Sequence, residues 1–107
     1  MEYLTDLVTT VPDGTSQAKV DELRGAEAAR AAELAKEGHL IRLWRPPLNR
    51  GEWRSIGLFR AADEAELNRI LESLPLHIWM KVTITPLTPH PNDPEYGNSS
   101  SQGSHSV

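Results

Sequence analysis

One carboxylate stands where an apolar side chain is expected. The segment 15–37 is rich in alanine, which favours a helix. At about 100° per residue, one side of that helix carries four apolar residues, Val20, Leu23, Ala31 and Leu34. Glu27 falls in the middle of this stripe. Burial makes a carboxylate costly to ionise and raises its pKa, which suits it to removing a proton from carbon.

Arg24 precedes Glu27 by three residues, so the two side chains share one helix face. An ion pair with Arg24 would lower the pKa of Glu27, whereas burial would raise it. Two interpretations stay open at this point. Either Glu27 is a general base facing a pocket, or it lies at the edge of an irregular stripe and reaches water.

A cluster of arginines surrounds the second and third predicted strands: Arg42, Arg45, Arg50 and Arg54. Guanidinium groups bind carboxylates well, so the cluster is a candidate clamp for an anionic substrate. The alternative is a solvated hairpin whose arginines pair with acidic neighbours such as Glu52. The large aromatic residues nearby favour a core or an interface, although one of them could line a pocket mouth.

The composition argues against several other kinds of chemistry. The chain has no cysteine, which excludes disulfides, thiolate zinc sites and cysteine nucleophiles. Its four histidines show none of the spacings typical of metal sites. Glycine-rich phosphate loops and the G-x-S-x-G pattern are missing too. We therefore expect neither a metal nor a nucleotide cofactor.

Charge and hydropathy narrow the possible partners. The net charge is −4 and no run of Lys or Arg occurs, which argues against nucleic acid. The N-terminus lacks a signal-peptide pattern, and no apolar run is long enough to cross a membrane. We therefore expect a cytoplasmic protein with no membrane partner.

The elements that must position these residues follow the order β-α-β-β-α-β. Strands are predicted at 2–11, 39–46, 52–60 and 78–87, and helices at about 15–37 and 63–74. This order is typical of the ferredoxin-like α+β sandwich. Its two helices cover one face of the sheet, while Ile56 and Leu58 point to the other, so we expect a second copy there. Residues 1–94 form the single domain, and 95–107 are expected to be a flexible polar tail.

Four sequence blocks together carry a family resemblance. They are E-L-R-x-x-E-x-x-x-x-x-E-L-x-x-x-G-H-L-x-R-L-W-R at 22–45, W-R-S-I-G-L-F at 53–59, E-L-x-x-x-L-x-S-L-P-L-x-x-W-M at 66–80 and H-P-N-D-P at 90–94. With these blocks, the chain resembles the muconolactone isomerase family over nearly all of residues 2–94.

The resemblance implies a dimeric α+β barrel whose dimers assemble into a decamer. It also implies a cofactor-free proton shift that converts muconolactone, a small anionic lactone, into 3-oxoadipate enol-lactone during catechol degradation. The family's helix-borne catalytic carboxylate falls on Glu27, and the basic position before it falls on Arg24. Family members often have lysine at the position of Arg24, and tyrosine and asparagine at about those of Trp53 and Ser55.

This hypothesis assigns Glu27 to proton transfer, helped by Arg24. The residues assigned to substrate binding are Arg45, Trp53, Arg54 and Ser55. Two alternatives stay open. One is a same-fold enzyme with another small substrate, such as a cyclase, an epimerase or a chloromuconolactone dehalogenase. The other is a non-catalytic ligand-binding module.

Overall fold

The elements follow the predicted order, with one short addition. They are β1 (Glu2–Thr9), α1 (Gln17–Lys36), β2 (Leu40–Trp44), β3 (Trp53–Arg60), α2 (Glu64–Glu72), a 3₁₀ helix (Pro75–Trp79) and β4 (Met80–Leu87). The structure is a computed structural model that describes residues 1–48 and 53–95. The expectations for Arg50, for Glu52 and for the tail beyond residue 95 lie outside the described residues.

The 3₁₀ helix corrects the predicted start of the last strand. The sequence pattern predicts a strand from Ile78, but β4 begins at Met80. Pro75 fixes its own backbone torsion at the helix start and has no N–H to donate. The N–H of His77 then donates to the carbonyl of Leu74 at 2.9 Å, which closes the turn.

The four strands form one antiparallel sheet in the order β2-β3-β1-β4. β1 lies in the middle, with Thr5 opposite Gly57 and Leu7 opposite Ser55 on β3. This order confirms the ferredoxin-like α+β class that the sequence predicts. No helix in the described ranges is long and apolar enough to span a membrane.

Both helices begin and end at recognisable caps. At the start of α1, the side-chain oxygen of Ser16 accepts the N–H of Lys19 at 3.1 Å. At its end, Gly38 adopts a φ of 86°, where glycine alone has no steric penalty, and its N–H donates to Ala35. At the start of α2, the side-chain oxygen of Asp63 accepts the N–H of Glu66 at 2.8 Å.

The helices pack on one face of the sheet. The core contains Tyr3, Leu7, Leu34, Phe59, Ala61, Leu67, Ile70, Leu71 and Leu74. From α1 only Val20 and Leu34 are buried, while Glu27 and its apolar neighbours are half-buried. The predicted stripe therefore faces the sheet, but it leaves space around Glu27.

The opposite face of the sheet carries half-buried apolar residues, among them Leu4, Ile56 and Leu58. On this face Asp6 of β1 and Arg54 of β3 form a bidentate ion pair, with N–O distances of 2.9 and 2.6 Å. The hydrogen-bonded guanidinium lowers the pKa of the Asp6 carboxyl below its ordinary value. A second copy on this face stays a prediction.

Gly57 lies where β3 passes close to buried side chains. A Cβ atom there would stand 2.7 Å from Phe59 Cε1 and 3.1 Å from Thr5 Oγ1. Phe59 and Thr5 are almost fully buried, and Thr5 Oγ1 donates a hydrogen bond to the Gly57 carbonyl. Neither neighbour can move aside without disturbing the core.

We expect Gly57→Ala to lower the free energy of unfolding by about 1–3 kcal/mol, because the added methyl overpacks this site. Gly25→Ala is the matched control, since a Cβ at that exposed position of α1 meets nothing within 4 Å. Alanine should raise stability there by up to about 1 kcal/mol. Urea unfolding of both variants measures the two effects, and a Gly57→Ala variant as stable as the wild type would contradict the first.

Candidate active site

Glu27 lies on the side of α1 that faces the sheet, and it is half-buried. Its Oε1 accepts a hydrogen bond from the backbone N–H of Leu76 at 2.9 Å. Leu76 belongs to the first turn of the 3₁₀ helix, where N–H groups have no partner inside the helix. The carboxylate therefore joins two elements that are 49 residues apart in the chain.

Burial raises the pKa of the Glu27 carboxyl above its ordinary value. The hydrogen bond from Leu76 and the nearby His77 act in the opposite direction, but more weakly. The second oxygen, Oε2, accepts no hydrogen bond from any residue in the described part of the chain. One oxygen is thus held in place while the other is available to a proton, as a positioned general base requires.

Glu27 borders a cavity of about 220 Å³ between α1 and the sheet, which we call the inner chamber. Its walls are mostly apolar and come from α1, the 3₁₀ helix and all four strands. They consist of Leu7, Thr9, Arg24, Glu27, Ala28, Ala31, Leu43, Ser55, Leu76 and Met80.

A second cavity of about 360 Å³, the outer chamber, adjoins the inner one. The two chambers share the side chains of Thr9, Arg24, Ser55 and Leu76. The outer chamber adds Arg45, Leu48, Trp53 and Arg54. A carboxylate in a small apolar chamber therefore lies next to a wider, positively charged one, an arrangement suited to a small anionic molecule.

The fold brings most of the predicted site residues to these chambers. Trp53 and Ser55 share the helix-covered face of β3, and Arg45 follows directly after β2. Arg54 borders the outer chamber as well, but two of its nitrogens bind Asp6 on the opposite face of the sheet. The substrate-binding role of these residues stays a prediction.

Arg24 differs from its expected arrangement. Its spacing from Glu27 allows an ion pair, but none forms between them in the described structure. The Arg24 guanidinium lies instead over the indole ring of Trp53, with Cζ 5.0 Å from the ring centroid. A sealed Arg24–Glu27 pair would have favoured a non-catalytic module, and this structure does not contain one.

Sequence reasoning missed the contribution of the 3₁₀ helix. The sequence pattern predicts only that the second helix ends at about residue 74, yet a proline that opens a short turn, as Pro75 does, also signals N–H groups without a partner inside that turn. His39 donates a hydrogen bond from Nδ1–H to the carbonyl of Arg60 at 2.9 Å, which fits a structural role. Within residues 1–48 and 53–95, no three histidines or carboxylates come together as a metal site would require.

Comparisons with known proteins relate this chain to one family. The family model for muconolactone delta-isomerase matches residues 1–93. The chain is 33% identical over 92 residues to the muconolactone Delta-isomerase of Cupriavidus pinatubonensis, a match that covers 86% of this chain and 97% of that protein. It is 35% identical over 82 residues to muconolactone Delta-isomerase 1 of Acinetobacter lwoffii, covering 77% and 82% of the two chains.

Solved structures agree with the sequence comparisons. A crystal structure of muconolactone isomerase matches with a TM-score of 0.78 and 25% identity, over 87% of this chain and 94% of that one. The 5-chloro-2-hydroxyhydroquinone dehydrochlorinase of Burkholderia phenoliruptrix has a TM-score of 0.57 at 12% identity, over 84% and 98%, and shares the fold. On the match across residues 1–93 and these relatives, the chain belongs to the muconolactone delta-isomerase family.

Proposed function

We propose that this chain is a cofactor-free isomerase that shifts a proton within a small unsaturated lactone acid. The proposed reaction converts muconolactone to 3-oxoadipate enol-lactone, a step of catechol degradation. The observation that carries the proposal is Glu27, a half-buried carboxylate beside the inner chamber; Leu76 holds one of its oxygens, and no described residue donates a hydrogen bond to the other. Family membership supports the same reaction.

The proposed step is a proton transfer that balances within one molecule. Glu27 Oε2 removes a ring proton from the carbon that is conjugated through the double bond to the lactone carbonyl. The electron pair of that C–H bond moves into the ring and gives an enolate. Glu27 then returns the proton to the far end of the conjugated system, so the double bond moves by one position. Acid–base side chains suffice for this step because no electron leaves the substrate.

The positively charged side chains around the chambers complement the negative charge of the proposed substrate. We expect Arg24 and Arg45 to hold the substrate carboxylate in the outer chamber, where both line the wall. Their positive charge also stabilises the enolate that forms in the neighbouring inner chamber. Ser55 lines both chambers, and its hydroxyl can donate a hydrogen bond to the lactone carbonyl.

A second candidate function uses the same base on another small acid, for example an elimination of chloride from a chlorinated lactone. Trp53 favours a different substrate, because its indole ring gives the outer chamber a flat wall without the hydroxyl of the tyrosine that family members often have there. Assays of the purified chain on muconolactone and on its chlorinated analogue, with NMR detection of products, separate the two candidates.

We also infer that the chain forms homo-oligomers, with a dimer as the unit and a decamer as the full assembly. The half-buried apolar residues on the open face of the sheet support pairing there, since a small domain buries little surface by itself. Exposed apolar residues elsewhere offer further contact surfaces, among them Trp44 and Ile78.

We expect Glu27→Gln to lower kcat on muconolactone by about 10²–10⁴-fold, because an amide cannot take up the proton. The variant should fold normally, since the amide oxygen can still accept the Leu76 N–H. Glu22→Gln is the matched control, because that glutamate lies on the same helix with 69% of its side chain exposed. A Glu27→Gln variant with full activity would remove Glu27 as the base.

The free energy of unfolding should depend differently on pH in the wild type and in Glu27→Gln. Because burial raises the pKa of Glu27, the folded wild type binds this proton more tightly than the unfolded chain does. The stabilisation is complete below the ordinary value of 4.5 and is lost as the pH rises through the folded pKa. Glu27→Gln should therefore gain stability relative to the wild type across this window. Urea unfolding at a series of pH values measures the difference, and a constant difference would contradict the raised pKa.

We expect Ile56→Lys to shift the assembly towards monomers, because it puts a charge on the open face that copies are proposed to cover. Asn68→Lys adds the same charge on an exposed position of α2 and is the control. Sedimentation velocity measures the assembly size. Equal sedimentation of wild type and Ile56→Lys would argue against pairing through this face.

A further inference from the structure

Three pairs along α1 have a basic residue followed three positions later by glutamate: Lys19 and Glu22, Arg24 and Glu27, and Arg30 and Glu33. The first and third form ion pairs, with N–O distances of 3.9 and 3.1 Å. In the middle pair, the Arg24 guanidinium lies over the ring of Trp53 instead. The same spacing on the same helix thus has a different outcome where β3 brings an indole ring opposite.

Two partners compete for the Arg24 guanidinium. One is the Glu27 carboxylate, within reach through the helical spacing. The other is the face of Trp53, the aromatic side chain that attracts cations most strongly. A guanidinium is planar and weakly hydrated, so it stacks on such a face more readily than an ammonium does. In the structure the guanidinium lies over the indole ring.

We propose that Trp53 is a positioning residue whose ring holds the Arg24 guanidinium off the Glu27 carboxylate, at the junction of the two chambers, ready for the carboxylate of the substrate. The proposal rests on the proposed function, because it takes Glu27 as the base and Arg24 as the anion-binding group. An ion pair between Arg24 and Glu27 would weaken both roles. It would make the base less basic, and it would fill the anion site with the protein's own carboxylate.

Of the charged groups near Glu27 in the described residues, Arg24 is the one whose position Trp53 can determine. On α1, Arg30 binds Glu33 and the hydroxyl of Ser73. On the 3₁₀ helix, His77 faces Glu27 and favours its ionised form. Arg45, directly after β2, lines the outer chamber but not the inner one. Arg54 binds Asp6 on the other face of the sheet. The residues that the four strands contribute to the inner chamber are uncharged: Leu7, Thr9, Leu43, Ser55 and Met80.

The test follows the pKa of Glu27 by carbon-13 NMR of its carboxyl group in the full chain without substrate. We expect Trp53→Leu to lower this pKa by about 1 or more, because the released guanidinium pairs with the carboxylate. Trp53→Phe keeps an aromatic face and should leave the pKa near that of the wild type. In an Arg24→Gln background, Trp53→Leu should have no such effect.

Arg24→Gln alone is a second, independent test. The variant should fold, because Arg24 is at an exposed position of α1. We expect it to leave the pKa of Glu27 unchanged, because the guanidinium is already held away. A rise in this pKa on Arg24→Gln, or an unchanged pKa in Trp53→Leu, would overturn the proposal. Repeating the Trp53→Leu titration with His77→Gln separates the contribution of the histidine, which should be the same with and without the indole ring.

Kinetics provides the functional readout. Trp53→Leu should raise KM for muconolactone by about tenfold and move the acidic limb of the kcat/KM profile to lower pH, whereas Trp53→Phe restores both. If the KM is unchanged and the acidic limb does not move, Trp53 serves only to pack the site and the proposal is wrong. A wild-type chain inactive on muconolactone would contradict the proposed function, while the NMR titration would still decide where Arg24 lies.

Discussion

The hydrogen bond between the Glu27 carboxylate and the Leu76 N–H is the interaction on which the site depends. A carboxylate on the apolar side of a helix would turn towards water if no donor met it, because burying it unpaired costs free energy. Pro75 starts the 3₁₀ helix, and the next N–H along it has no acceptor inside the helix. The two unsatisfied groups bind each other, and their hydrogen bond joins α1 to the 3₁₀ helix where both line the inner chamber.

The alternation of β3 distributes its residues between two different tasks. Trp53 and Ser55 face the chambers, and Gly57 leaves room for the ring of Phe59 in the core. Arg54, one residue along, points to the other face and pairs with Asp6. One strand therefore contributes to the site and to the open face of the sheet, and a shift of its register by one residue would exchange these roles.

The carboxylate and the arginines of the site lie in different parts of the two chambers. Glu27 lies in the smaller and more apolar chamber, where burial raises the pKa of its carboxyl. Arg45 lines the wider chamber, and Arg24 lies at the junction with its guanidinium over Trp53. The proposed base and the proposed anion site are thus neighbours in a small domain, and the nearer arginine lies over an aromatic face and not on the carboxylate.

The sequence by itself determined the features that depend on neighbouring residues. The caps of both helices, the alternation of the strands and the place of Glu27 on the apolar stripe of α1 follow from local periodicity and side-chain type, whereas periodicity left open whether its carboxylate faces a pocket or water. The partners of the charged groups were decided by the tertiary structure. Glu27 meets Leu76 across 49 residues, and Arg54 meets Asp6 across 48. Helical spacing favoured Glu27 as the partner of Arg24, but in the folded protein the guanidinium lies over Trp53, because strand pairing decides which distant side chains face the helix.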